Sequence, residues 1–300
     1  MQSFFWDYPL ERDFPFSALE YCVTDKIGEG EPRQHWHNYY ELGLCTAGKG
    51  IFYFGERAYH YEEGDLFLAN NLERHGAVSA AECETRFRFF LFLPGLILDR
   101  SGERDAEYLL PFRCSRSGLS HKIDKASEAG KSIRPLLDDL WDTAGKKCSG
   151  KKRLIRAELS FILAKLCSYL KLDDEGNAAE KLSSYLRLRP AIDYIESHFT
   201  KPIAQKDAAA CSYLSESRFR HLFREEMRMS FQEYVTSLRY LEARRLIACT
   251  DMPISEAARA AGFSNPYYFY KMFREDEGKT PNEWRNEAAS RRNEVPDSRI

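Results

Sequence analysis

The stretch Ile254-Ser255-Glu256-Ala257-Ala258-Arg259-Ala260-Ala261-Gly262-Phe263-Ser264-Asn265-Pro266-Tyr267-Tyr268-Phe269-Tyr270-Lys271-Met272-Phe273-Arg274-Glu275 decides how this chain is read. Ser255 to Ala261 reads as a short Ala-rich helix whose small side chains let a second helix cross closely. Gly262-Phe263-Ser264 reads as a turn. Asn265 is a good N-cap, and Pro266 suits the first helical position after it. In the helix that follows, Phe269, Met272 and Phe273 recur at i, i+3 and i+4 and form one buried stripe. Tyr267, Tyr270, Lys271 and Arg274 take the opposite face. Helix, tight turn, helix is the outline of a helix-turn-helix.

Fifty residues earlier the pattern occurs once before. Phe219-Arg220-His221-Leu222-Phe223-Arg224-Glu225 matches Phe269-Tyr270-Lys271-Met272-Phe273-Arg274-Glu275 position by position. Gln205 to Ala210 supplies the preceding Ala-rich helix, Cys211 to Leu214 the turn and Ser215 the N-cap. Phe219, Leu222 and Phe223 form the buried stripe, and Ser217, Arg220, His221 and Arg224 face out. Exposed Arg and Lys on a single helix are ordinary. Two copies with the same capped, buried and exposed offsets point instead to paired helices that enter DNA major grooves. Phe231 to Cys249 reads as one helix between them, about 28 Å long at the helical rise. One turn of DNA is ~34 Å.

From about Leu186 to Arg285 the chain resembles the AraC/XylS family of bacterial transcription regulators. The resemblance rests on Ile254 to Ser264, then Tyr268-Phe269 and Phe273-Arg274, and closes with Gly278-Lys279-Thr280-Pro281 and Trp284-Arg285. In the first unit the usual Gly-x-Ser-Pro is replaced by Arg228-Met229-Ser230-Phe231, which removes the Gly stop of the preceding helix. The resemblance implies a rigid pair of units on adjacent major grooves of double-stranded DNA. Base readout then falls to Ser217, Arg220 and His221 in the first unit and to Tyr267, Tyr270 and Lys271 in the second. Arg224 and Arg274, late in their helices, fall to phosphate.

Residues 18–115 read differently. Glu41 to Cys45, Gly50 to Phe54, Ala58 to Tyr61, Asp65 to Ala69 and Phe87 to Leu93 are short aromatic or aliphatic runs. Turn signals at Ala47-Gly48-Lys49-Gly50, Gly55-Glu56 and Glu62-Glu63-Gly64-Asp65 separate them. His35, His37 and Glu41 differ by even steps, so one extended strand would put them on one face. With Gly48, the later Gly64-Asp65 and His75, the arrangement resembles a cupin barrel, a sensor domain found in many AraC-like regulators. Three readings stay open for His35, His37, Glu41 and His75: a metal site for Fe, Mn, Ni or Zn, a polar lining for a small ligand, or histidines satisfied by hydrogen bonds in the barrel. Arg33, Trp36 and Tyr53 are further pocket candidates, chemically suited to a sugar or small carboxylate.

The expected fold is therefore α+β multidomain: a cupin-like β-barrel with a helical segment, then an all-α domain of two helix-turn-helix units joined by a long helix. The boundaries are 1–120 for the sensor barrel, 121–172 for helices that dimerise, 173–185 for a linker and 186–300 for the DNA-binding domain. Residues 180–300 hold 20 Lys/Arg and 18 Asp/Glu, a balance of +2, against −4 for the rest of a chain whose net charge is −2. That asymmetry is too small to argue DNA binding by itself. The eight cysteines are scattered with no C-x-x-C pair, as expected of reduced, mostly buried thiols in a cytoplasmic protein. No apolar run approaches the ~18 residues that span a bilayer, and the N-terminus has no signal-peptide pattern.

The partners expected are double-stranded DNA, a small-molecule effector such as a carbohydrate, a second copy of the chain and, for an activator, RNA polymerase. No membrane is expected, and no cofactor beyond the open metal reading. Two alternatives stand beside a ligand-responsive, non-enzymatic regulator. One is a metal-dependent cupin enzyme with an attached DNA-binding part, disfavoured by the absence of a nucleophile motif or phosphate-binding Gly loop. The other is a constitutive DNA-binding protein with a structural barrel.

Overall fold

A computed structural model describes residues 3–292, except 6, 7, 9, 12, 29–32, 72, 98–105, 113–119, 171–177 and 228. Cys114, the polar stretch 173–177 and Arg228 lie outside the described residues. The chain divides into two compact units between Leu182 and Ser183.

Among the described residues the first unit has ten strands: β1 (Ser3–Phe5), β2 (Phe16–Val23), β3 (Gln34–Trp36), β4 (Tyr40–Ala47), β5 (Lys49–Phe54), β6 (Arg57–Glu62), β7 (Leu66–Ala69), β8 (His75–Ser79), β9 (Thr85–Phe92) and β10 (Lys122–Ile123). They form two five-stranded sheets, ordered β1-β3-β8-β5-β6 and β10-β7-β4-β9-β2, antiparallel except for β1 with β3. The barrel or sandwich expected of such short strands is thus built as two open sheets. The reason lies at the corners. β4 and β5 are adjacent in sequence but belong to different sheets, and the chain crosses between them at Gly48 with φ +89. It crosses again at Gly64, φ +96, between β6 and β7. Positive φ is open to glycine without steric cost. At Gly64 the turn is also held by Asp65, whose buried carboxylate accepts from the Glu62 and Lys125 amides at 3.0 Å each and pairs with Lys122 Nζ at 2.8 Å.

Between the sheets lies an aromatic core in which Phe52 and Phe67 stack at 4.4 Å and Phe87 and Phe89 at 5.4 Å. The second sheet is covered on its outer face too. There Tyr40, Leu42, Leu44, Phe90 and Phe92 are buried, with Tyr40 and Phe92 against Phe112 and Phe90 against Trp141. Burial on both faces explains why Phe89 to Phe92 is apolar without alternation. The covering helices are α1 (Glu128–Gly145), capped by Ser127, and α2 (Lys151–Tyr169).

Gly50 shows how closely the first sheet is packed. A Cβ there would strike the Val78 carbonyl oxygen and lie 2.6 Å from the Tyr61 hydroxyl. Gly50→Ala is expected to destabilise the first unit by about 3 kcal/mol, the upper end for overpacking. An unchanged urea midpoint for the first unit would contradict this contact.

The second unit is helical: α3 (Ala178–His198), α4 (Gln205–Cys211), α5 (Glu216–Met227), α6 (Phe231–Cys249), α7 (Ile254–Ala260), α8 (Pro266–Glu277) and α9 (Pro281–Arg292). α3 begins at Ala178, so helix occupies residues 178–185 of the expected linker. Ser230 and Glu233 form a capping box that starts α6, the Ser230 amide donating to Glu233 Oε2 at 2.6 Å. This box sets the start of the connecting helix where the family-type Gly-x-Ser-Pro is missing. At the end of α8, Gly278 takes the left-handed C-cap with φ +68. Cys22, Cys45, Cys83, Cys148, Cys167 and Cys211 are free thiols, and Cys22 and Cys148 are exposed rather than buried. Among the described residues no helix is long and apolar enough to cross a membrane.

Candidate functional site

In each half of the second unit a short helix supports a twelve-residue helix: α4 with α5, α7 with α8. The Ser215 hydroxyl accepts from the Arg218 amide at 3.3 Å, and Asn265 Oδ1 accepts from the Tyr267 amide at 3.0 Å. Phe219, Leu222 and Phe223 are buried, as are Phe269 and Phe273, while Met272 is half-buried. The opposite faces carry exposed Ser217, Arg220, His221 and Arg224 in α5, and exposed Tyr267, Lys271 and Arg274 with half-buried Tyr270 in α8.

The repeat extends to a detail that the sequence pattern left unread. His221 Nδ1 lies 3.7 Å from Glu225 Oε2, and Lys271 Nζ lies 3.8 Å from Glu275 Oε1. Each nitrogen-bearing side chain sits one turn before a carboxylate, in the same place in both helices. Exposed pairs of this kind contribute only ~0–1 kcal/mol, so a base edge can displace the carboxylate at little cost. Two exposed aromatics were also missed. Tyr268 stands beside Tyr267 in the first turn of α8. Tyr213, 97% exposed, holds φ +52 at the turn before α5, where the second copy has Gly262. In both turns the amide that follows donates to a carbonyl five residues back, Leu214 to Ala209 and Phe263 to Ala258.

In the first unit the structure brings together His35, His37, Glu41 and His75, with one ligand atom from each lying within 4.8 Å of the others. The expectation that one strand aligns three of them is corrected. His35 is on β3 and Glu41 on β4, in different sheets, and His37 lies in the crossing between them. His75 enters from β8, paired with His35. Convergence of the two sheets, rather than alternation along one strand, makes the cluster. Arg33 is exposed and lies 3.8 Å from Asp25. Alternation turns Trp36 away from the face of His35, and Tyr53 away from that of Phe52 and Phe54, which stack on His75 at 6.2 and 5.8 Å. The cluster and these three pocket candidates are therefore not assembled into one site.

The hydrogen bonds set the chemistry of the cluster. His37 Nδ1 donates to the Tyr39 carbonyl at 3.0 Å, and His75 Nδ1 donates to the Glu73 carbonyl at 2.8 Å. A carbonyl can only accept, so in the neutral rings both Nε2 atoms carry lone pairs. Those atoms face each other at 3.1 Å, and they lie 3.2 and 3.4 Å from the Glu41 oxygens. Such a set of acceptors needs a positive charge at its centre, either a proton on one imidazole or a metal ion. A tetrahedral ion with bonds of ~2.1 Å would separate its ligands by about 3.4 Å, close to the 3.1–3.4 Å among His37, His75 and Glu41, while the four-residue set that includes His35 spreads to 4.8 Å. Burial, then the neighbouring His75 and His37, push His35 well below its ordinary pKa. Burial lowers His37 to about 4, against its hydrogen bond to Glu41. Burial opposes ionisation of Glu41, but the charge on His75 and bonds from both imidazoles hold its carboxyl below the usual range. Burial disfavours the charged form of His75, yet adjacent Glu41 raises it.

A second layer adjoins the cluster. His121 Nε2 bonds Glu73 Oε1 at 2.9 Å, its Nδ1 lies 3.1 Å from the Tyr59 hydroxyl, and its ring stacks on Phe54 at 4.1 Å. Sequence reading missed His121 and Glu73. The one available signal was Glu73, two residues before His75.

The family described as AraC-like ligand binding domain matches residues 25–159, and the family described as helix-turn-helix domain matches residues 208–287. The HTH-type transcriptional activator RhaR of Enterobacter sp. (strain 638) is 24% identical over 276 residues, covering 88% of this chain and 91% of its own. Its namesake from Salmonella schwarzengrund is 23% identical over 290 residues, 92% of this chain and 95% of its own. Among solved structures, ToxT from Vibrio cholerae superposes with a TM-score of 0.56 at 14% identity, over 90% of this chain and 97% of that one.

Proposed function

Since the chain belongs to the AraC/XylS family of DNA-binding transcription regulators, we propose that it reads two adjacent major grooves with α5 and α8. Ser217, Arg220 and His221 on one helix and Tyr267, Tyr270 and Lys271 on the other meet base edges, and Arg224 and Arg274 meet phosphate. The observation that carries this is the two-fold recurrence of one capped, buried and exposed pattern on a single connecting helix. The first unit binds a small molecule rather than converting a substrate, and a carbohydrate or small carboxylate suits its aromatic surfaces. The work of such a regulator places it in the cytoplasm. A second copy pairs through the α1–α2 hairpin, where Leu154 and Phe161 are exposed apolar side chains. As an activator it would also meet RNA polymerase.

The donor set of the first unit favours a divalent transition-metal ion held by His35, His37, His75 and Glu41. Nδ1 bonds from ligand histidines to backbone carbonyls are the usual orienting partners of such sites. The ion would supply a fixed positive charge and positions for an effector's hydroxyl or carboxylate.

The test is selection of bound duplexes from a randomised library, followed by anisotropy titration at two salt concentrations with and without a panel of sugars and carboxylates. A selected site bound about 1,000-fold or more tightly than random duplex is expected, with one effector class changing the affinity. Weak binding that ignores sequence and vanishes with salt would overturn the reading.

A further inference from the structure

The connecting helix α6 holds both reading helices by separate sets of side chains. Near its start, Phe231 and Tyr234 pack on Phe223 of α5 at 6.5 and 5.6 Å. Further along, Tyr240 packs on Phe269 and Phe273 of α8 at 5.9 Å each and donates its hydroxyl to Asp276 at 2.7 Å. Arg244 pairs with Glu277 and lies over the Trp284 ring at 5.0 Å.

Arg239 stands between these two sets and belongs to neither. Its Nε donates to the Phe199 carbonyl at 2.6 Å and its Nη2 to the Lys201 carbonyl at 2.9 Å. Both carbonyls lie just past the end of α3, which packs with the first half: the Ala191 amide donates to Ser212 Oγ at 3.2 Å, and Tyr234 donates to Glu196 at 2.8 Å. The turn of the second half closes on the same point. A Cβ on Gly262 would lie 2.8 Å from Arg239 Nε, 2.9 Å from the Phe199 oxygen and 2.9 Å from Thr200 Cα. Gly262 also holds φ +101. The end of α3, the Arg239 guanidinium and the turn before α8 thus meet at one point, a junction between the halves.

We propose that Arg239 is a positioning residue that sets the orientation of α8 relative to α5, and with it the half-site spacing the protein accepts. A helix can bend along its length, so α6 alone sets separation better than angle. The guanidinium fork removes that freedom because it bonds two carbonyls in a fixed plane. One base pair of DNA shifts a half-site by about 3.4 Å and about 36°, an error a rigid pair cannot absorb. This inference rests on the DNA-reading assignment above.

The experiment uses the full chain and the duplex selected from the randomised library, together with versions lengthened or shortened by one base pair between the half-sites. The wild type is expected to lose at least tenfold in affinity on each altered duplex. Arg239→Ala is expected to lose less than threefold. Arg239→Lys keeps the charge but cannot bridge both carbonyls, and it should relax spacing in the same direction even if the alanine variant folds poorly. A folded variant of either kind with the wild-type spacing ratio overturns the proposal, as does a wild type indifferent to spacing. Failure of the wild type to select any sequence would instead overturn the DNA-reading assignment itself.

Discussion

Arg220→Ala combined with Lys271→Ala is expected to abolish discrimination between the selected duplex and random DNA while leaving the fold unchanged. Each side chain is exposed on its helix, and neither touches the buried stripe of Phe219, Phe223, Phe269 and Phe273. Loss of one base contact costs about 1–3 kcal/mol. The two sit on separate helices, so their costs should add, to about 2–6 kcal/mol or roughly 30- to 25,000-fold. Melting should move by no more than ~0.5 kcal/mol, as for ordinary surface changes. Arg224→Ala and Arg274→Ala give the contrast: they should weaken all sequences alike. Wild-type discrimination in the double variant, measured by competition with random duplex, would remove Arg220 and Lys271 from the reading surface.

Glu41→Ala is expected to end metal binding by the first unit and to lower its stability. The carboxylate is buried, and it is the only one in the cluster of three imidazoles. If the wild type holds an ion at about 100 times its Kd, binding stabilises the unit by about 2.7 kcal/mol, seen as a Tm higher by roughly 5–10 °C. Glu41→Ala should show no metal-dependent rise. Without metal it should still melt below the wild type, since breaking a buried charge pair costs about 3–5 kcal/mol. The check is metal content after dialysis against Zn2+, Mn2+, Fe2+ and Ni2+, with melting curves before and after chelation. A wild type that retains none of these ions and melts unchanged would make the cluster a proton-sharing network.

The helical unit was far more legible than the sandwich. Caps, apolar stripes and turns in helices are short-range, so Ser215, Asn265, Phe219 and Phe269 could be placed from neighbours three or four residues away. Strands Phe16–Val23 and His75–Ser79 were not recognised, because their mixed polar and apolar residues make sense only beside their partners. The type of residue in the histidine and glutamate cluster was legible, but its assembly was read from the wrong cause. Even spacing suggested one strand, whereas the corner at His37 takes the chain from one sheet to the other.

What the sequence alone determined is the local grammar of the two helix-turn-helix repeats: the paired helices, their N-caps Ser215 and Asn265, and the side chains that face out. It also named His35, His37, Glu41 and His75, the four residues of the buried cluster. The tertiary structure alone decided that the strands form two open sheets and that Glu73 and His121 stand beside the cluster. It alone joined Arg239 to the end of α3 and the turn at Gly262. The physical reason is the range of the interactions. Helix caps and stripes are satisfied within one or two turns of chain. Sheet pairing, a convergent set of lone pairs and a guanidinium that bonds carbonyls some forty residues away (Arg239 to Phe199) depend on contacts that no local pattern encodes.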